Sequence, residues 1–313
     1  MIGTIAVTDE GWYRYLLSHP EFDEVNFWRP SARRPFVAPA FSPFLFKLRS
    51  PHNAICGFGF FAVYSALPAW LAWEAFGGGN GCRSFDEMQS RLDRIRHRIG
   101  YQQGQDSNYI GCTTIVRPTF FPQEAWVAQP ASWPARTQTD KKYDLEVGEG
   151  ERVWKACLEV ARLLPTNHAS EAGVDGLGAG RRYGEPILVR PRLGQKTFRI
   201  AVLDAYGRAC AVTEEHSLPV LEAGHIQPFA EGGPHTISNG LLLRADLHRL
   251  FDKGYITVTP DLRLEVSSRL RQEYRNGRTY YPLSGSTIRT PAGRGLAPDP
   301  ELLRWHNEHK FAA

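Results

Sequence analysis

Residues 219 to 259 leave the chain little conformational freedom. A strand-like run, 219–226, ends in Leu221-Glu222-Ala223-Gly224-His225-Ile226. Gly232-Gly233 and the polar residues up to Ser238 read as a loop, and Asn239-Gly240 suits a turn in which the Asn side chain braces the backbone. The stretch 244–251 then reads as a short helix carrying His248, with Asp252 at i+4 on the same face. Lys253-Gly254 ends that helix, and 255–259 reads as a strand.

His225, Asn239 and His248 stand 14 and 9 residues apart. Hydrolysis of a phosphodiester needs an activated water, a cation to stabilise charge on the phosphate and leaving oxygen, and accurate positioning. A neutral imidazole at the end of a strand can take a proton from water near pH 7. The residues Cys210-Ala211-Val212-Thr213, Glu222-Ala223-Gly224-His225-Ile226 with Pro228, Asn239-Gly240-Leu241, and His248 with Phe251-Asp252-Lys253-Gly254 resemble the HNH endonuclease family, whose active site is a ββα-metal finger. The resemblance covers roughly residues 206–258. It implies His225 as general base, Asn239 as the residue that holds loop and base in place, and His248 as a metal ligand. It also implies a divalent ion, Mg²⁺ or Mn²⁺.

One position departs from the family's commonest pattern. Many members carry a metal-binding Asp or His immediately before the base, and here that residue is Gly224. A second protein ligand must come from elsewhere. Glu222 lies two residues earlier, on the same face of a regular strand. Asp252 is the other candidate, through its i+4 relation to His248, and a helix-end residue bonding to backbone is an equal reading of it. An ion held by one His and several waters also fits Mg²⁺. His216 and His235 lie in polar loops and read as solvated, although His235 is close enough in sequence to line the site. His306 and His309 follow Trp305 on a C-terminal helix and read as surface residues.

Net charge, +4, says little by itself; its distribution says more. Residues 178–294 hold 17 Lys/Arg against 11 Asp/Glu, and Arg181, Arg182, Arg190, Arg192, Lys196 and Arg199 fall in a stretch with a single acid, Glu185. Such a stretch can neutralise phosphates and release counterions, or be a solvated, charged linker; the His-Asn-His constellation beside it favours the first reading, with double-stranded DNA as the expected partner. The five cysteines form no CxxC pair, which disfavours a disulfide framework or a four-cysteine zinc site. Most are expected to be buried thiols, Cys210 included, in a reducing cytoplasm. No apolar run is long enough for a membrane span, and the first residues read as a strand, not a signal peptide.

Upstream, short β-branched and aromatic runs recur at 3–7, 25–28, 43–49, 54–64 and 109–118, punctuated by Gly and Pro. Helices are expected from the Ser84 cap onward, at 67–76, and at 147–164. Mostly strands with few helices suggest a small closed or half-closed barrel. The runs Pro43-Phe44-Leu45-Phe46-Lys47-Leu48, Ile55-Cys56-Gly57-Phe58-Gly59-Phe60-Phe61 and Ile110-Gly111-Cys112 resemble PUA-like barrels, a group that includes the SRA and EVE families. That resemblance implies a pocket for a flipped, modified base. One or two rings are expected to line it, Trp28 first, with Phe27, Phe58, Tyr64 and Trp73 as the other candidates; most aromatics at strand spacing read as core. The expected class is therefore α+β: a PUA-like β-barrel with helices over 1–164, a Gly-rich linker over 165–185, and an HNH domain over 186–313.

Three functions fit this reading. The first is a modification-dependent restriction endonuclease. The second is an HNH nuclease that reads unmodified sequence or phosphorothioate DNA. The third is a DNA-binding protein with an inactive nuclease finger, for which Gly224 speaks. Double-strand cutting by a single-site nuclease would need a homodimer or two binding events.

Overall fold

The computed structural model describes residues 1–101, 108–134, 139–164, 194–293 and 295–311. The chain divides into two compact units, Met1–Pro191 and Arg192–Ala313. The predicted linker, 165–185, lies outside the described residues, as do Arg181, Arg182, Arg190 and Arg192.

The first unit is a mixed sheet covered on both faces. Its elements are β1 (Ile2–Thr8), α1 (Glu10–Leu17), β2 (Glu24–Arg29), β3 (Pro43–Leu48), β4 (Ala54–Pro68), α2 (Ala69–Phe76), α3 (Phe85–Arg98), β5 (Tyr109–Phe120), β6 (Val127–Ala128), β7 (Asp140–Asp144) and α4 (Gly148–Leu163). Strand order is β2-β5-β4-β3-β1-β7, with β6 paired to β4. Among the described residues, only β1 and β3 run parallel. The alternation along β3 shows how the two layers form. Phe44 and Phe46 enter one core with Trp12, Tyr13 and Leu16 of α1, while Leu45 enters the other with Val153, Trp154 and Cys157 of α4. A strand buried on both faces reads as near-continuous apolar sequence, as β3 does apart from Lys47.

The expected barrel does not close. β2 and β7 end the sheet without pairing to each other, and an Arg29–Asp140 ion pair at 2.7 Å links them. β7 reads Asp-Lys-Lys-Tyr-Asp, and a short charged strand suits an exposed edge better than a closed ladder. The α3 cap is as predicted: Ser84 accepts from the Glu87 amide at 3.2 Å, and the Glu87 carboxylate accepts from the Arg83 amide at 3.0 Å. α1 was not foreseen, although Asp9 caps it by accepting from the Trp12 amide.

The second unit comprises α5 (Gln195–Ala205), β8 (Leu221–His225), β9 (Gly240–Arg244), α6 (Ala245–Asp252), β10 (Ile256–Val258), β11 (Leu264–Val266), α7 (Arg269–Tyr274) and α8 (Pro300–His309). β8 and β9 form an antiparallel pair in which His225 faces Gly240. β9 is a second strand that the sequence reading passed over between the Asn239-Gly240 turn and the helix. Tyr206, at the end of α5, is buried and donates to the Gly240 carbonyl at 3.2 Å. All five cysteines are free and buried. No helix among the described residues is long and apolar enough to cross a membrane.

His306 corrects the expectation of a surface residue. Leu303 and His306, one turn apart, form the buried face of α8, and His306 is 2% exposed. Its Nε2–H donates to the Phe251 carbonyl at 3.1 Å, its Nδ1 accepts from the Thr257 hydroxyl at 2.8 Å, and its ring stacks on Phe251. Burial holds its pKa down at about 4, below the ordinary 6.5. A depressed histidine contributes stability above pH 6.5 that is lost as pH falls toward 4, by up to about 3 kcal/mol. Denaturant midpoints are expected to fall over that window, and to fall less in His306→Gln.

Candidate active site

The site is assembled from β8, the loop after it, β9 and α6. His225 ends β8, where its ring stacks flat on Phe198 of α5, with centroids 3.9 Å apart and planes 9° apart. Its Nε2 lies 3.4 Å from Nδ1 of His235. Burial, reinforced by the nearby His235 and His248, lowers the His225 pKa to about 4. The imidazole is therefore neutral at pH 7, with a lone pair free to accept a proton.

Asn239 is fully buried and every polar atom of its amide is used. Its Oδ1 accepts from the Gln227 amide at 2.9 Å, and its Nδ2 donates to the carbonyls of Gln227 at 2.9 Å and Pro234 at 2.8 Å. Its own carbonyl accepts from the Ile226 amide. One side chain thus ties the residues just after His225 to the far side of the loop. Gly233 fits the same knot, since a Cβ there would lie 1.9 Å from the Gln227 carbonyl oxygen. Asn239→Ala strands one amide and two carbonyls, and a loss of about 2–4 kcal/mol in the second unit is expected. A lower urea midpoint at unchanged slope checks it.

His248 sits between both candidate carboxylates. Its Nδ1 is 2.7 Å from Glu222 Oε2, and its Nε2 is 3.5 Å from Asp252 Oδ2. Asp252 is raised in pKa, first by the packing around it and then by Glu222, with His248 opposing; its side chain is 55% exposed, so solvent moderates the effect. Gly224 explains how His248 comes so near β8: a Cβ on Gly224 would lie 2.5 Å from Cδ2 and 2.6 Å from Nε2 of His248. The ring occupies the space that a side chain at 224 would need.

Two donors sharing one ion at 2.0–2.2 Å stand about 3–3.5 Å apart, so Nε2 of His248 and Asp252 fit as neighbouring ligands. A mixed nitrogen and carboxylate set with room for water suits a hard divalent cation. Glu222 instead grips the opposite ring nitrogen, the position from which a carboxylate orients a ligating histidine. Among the described residues, no three His, Cys, Asp or Glu side chains converge as a closed cage.

The sequence-predicted trio and both carboxylates are thus brought together. His235 and Phe198 also belong to the site. His235 had been read as solvated; its closeness to His225 in sequence was the available signal. Lys196 and Arg199 flank Phe198 on α5, half-buried and engaged in other contacts. In the first unit, Phe27 and Phe58 are core rings, 8% and 5% exposed, because both faces of the sheet are covered. Trp28 is half-buried and donates to the Asn80 carbonyl at 3.0 Å; the Tyr64 hydroxyl donates to the Ala32 carbonyl at 3.3 Å; Trp73 is half-buried on α2. A groove of about 640 Å³ in this unit is lined by Arg14, Arg83, Arg91 and Tyr15, not by these rings.

Residues 210–259 match the family model described as HNH endonuclease. The second unit carries an HNH endonuclease domain. No curated protein matches the chain. Among solved structures, the ASCH protein of Zymomonas mobilis is similar at 12% identity and a TM-score of 0.33, covering 49% of this chain and 94% of its own. A point mutant of that protein matches at 11% identity and 0.32, covering 49% and 96%. A structure titled as the modification-dependent TagI restriction endonuclease matches at 14% identity and 0.30, covering 97% of this chain and 80% of its own. The matched residues 210–259 include β8, the loop after it, β9 and α6.

Proposed function

We propose that the protein is a divalent-metal-dependent DNA endonuclease that hydrolyses phosphodiesters in modified DNA, with His225 as general base. The observation that carries the chemistry is the pairing of a neutral, half-buried His225 with a His248 whose Nε2 faces Asp252. A bound divalent ion supplies charge stabilisation on the phosphate and the leaving oxygen. His248 and Asp252 would hold it, Mg²⁺ or Mn²⁺ by donor type, and Glu222 would keep the His248 ring aligned. His225 takes the proton from the attacking water, while Asn239 keeps the base and its loop in register. The basic residues Lys196 and Arg199, with Arg181, Arg182, Arg190 and Arg192, would hold the DNA backbone.

Target choice is assigned to the first unit, which has two cores of its own and contributes no group to the chemistry described above. Its half-buried rings Trp28, Tyr64 and Trp73 remain the candidates to stack on an extruded base. The test is a cleavage panel on unmodified, methylated, hydroxymethylated and phosphorothioated duplexes with Mg²⁺, Mn²⁺ and chelator. Metal-dependent cutting that favours a modified base is expected. Equal cutting of plain DNA would overturn the reader assignment, and no cutting of any duplex with any metal would overturn the nuclease. Sedimentation on cut and uncut DNA reports whether a homodimer acts.

A further inference from the structure

His235 contacts the base through a ring nitrogen, and that contact restricts where the base can carry its proton. The two rings stand nearly perpendicular, 84° apart with centroids 5.1 Å apart, and His225 Nε2 points at His235 Nδ1 across 3.4 Å. Phe198 closes one face of His225, and Phe229 packs on His235 with centroids 4.5 Å apart. Nδ1 of His225 makes no hydrogen bond among the described residues. His235 itself is held by the loop knot: the carbonyl of Pro234, the residue before it, accepts from the Asn239 amide.

We propose that His235 is a positioning residue that fixes the tautomer of His225. Two neutral imidazoles can share only one proton across a nitrogen–nitrogen contact. If Nδ1 of His225 is the atom that receives a proton from water, Nε2 must carry the ring's own proton. Nε2–H then donates to Nδ1 of His235, and His235 keeps its proton on its own Nε2. When His225 becomes an imidazolium, the same bond becomes charge-assisted and shorter. A separation of 3.4 Å is long for such a bond, and contacts of this kind tighten when substrate binds. The inference rests on the nuclease reading, in which His225 is the base.

The test uses the full chain, free of metal and DNA, with ¹⁵N-labelled histidine. Long-range ¹H–¹⁵N spectra at pH 7 are expected to show His225 as a single tautomer protonated on Nε2. In His235→Ala the signal is expected to move toward a tautomer mixture, and His235→Gln, whose amide oxygen can accept the same proton, is expected to restore it. Circular dichroism of both variants checks that the fold is kept. Single-turnover cleavage is expected to slow about 10–100-fold in His235→Ala with KM unchanged, and to recover in His235→Gln. A wild-type His225 protonated on Nδ1, an unchanged spectrum in His235→Ala, or full-rate cleavage by that variant overturns the proposal. Failure of the wild-type protein to cut DNA counts against the nuclease, and the tautomer spectra still decide the pairing.

Discussion

His225→Ala is expected to slow DNA cleavage by about 10²–10⁴-fold, the range that a positioned general base contributes. DNA affinity should not change, because the ring is half-buried against Phe198 and is not one of the charged groups that face phosphate. Nor should the fold be lost. Among the described residues the His225 side chain bonds only His235, whereas the strand pairing of β8 with β9 is backbone. The measurement is single-turnover cleavage at saturating metal beside a binding titration on the same duplex. A variant that cuts within threefold of wild type would remove His225 from the reaction. A variant that also loses DNA affinity would make its role structural.

Gly224→Asp carries the second large effect, and its direction is counterintuitive. The substitution installs the residue that many HNH proteins have before the base, yet metal binding is expected to weaken about 10–100-fold. The new Cβ would meet His248 at 2.5 and 2.6 Å, far inside normal contact. The ring cannot yield cheaply, since Glu222 pins its Nδ1 and Asp252 faces its Nε2. Moving it breaks the alignment of the imidazole proposed to hold the ion. Calorimetric titration of Mn²⁺ into the DNA-free protein checks this. Tighter binding in the Asp variant would show that the ion sits elsewhere and that the glycine is a true deficit. Equal binding would show that the ring is free to turn.

What was legible in the sequence follows from how local each signal is. His225, His248 and Asp252 could be read because strand end, helix and the i+4 relation fix them within a few residues. Asn239 could be read as a brace because its residue type does that work in turns. His235 could not be placed, because a loop has no period; its position depends on three bonds made by an amide four residues further on. His306 was misread for a related reason. A histidine on an amphipathic helix looks solvated unless one knows that a hydroxyl and a carbonyl wait for its two nitrogens. Phe27 and Phe58 could not be told from pocket rings, because nothing in the strand pattern says that a second layer covers them. The open sheet was illegible too, since closure is decided by register between β2 and β7, the strands at opposite ends of the sheet order.

The groups proposed to cut DNA all fall between Glu222 and Asp252, with Phe198 as the one ring supplied from outside. A reaction centre this contiguous behaves as a transplantable cassette. Its carboxylates, imidazoles and brace travel together in any recombination event that keeps the segment whole, and the recipient must still supply the outside contacts, Phe198 on His225, Tyr206 on the Gly240 carbonyl and His306 on Phe251. Lineages could thus exchange what they destroy without rebuilding how they destroy it.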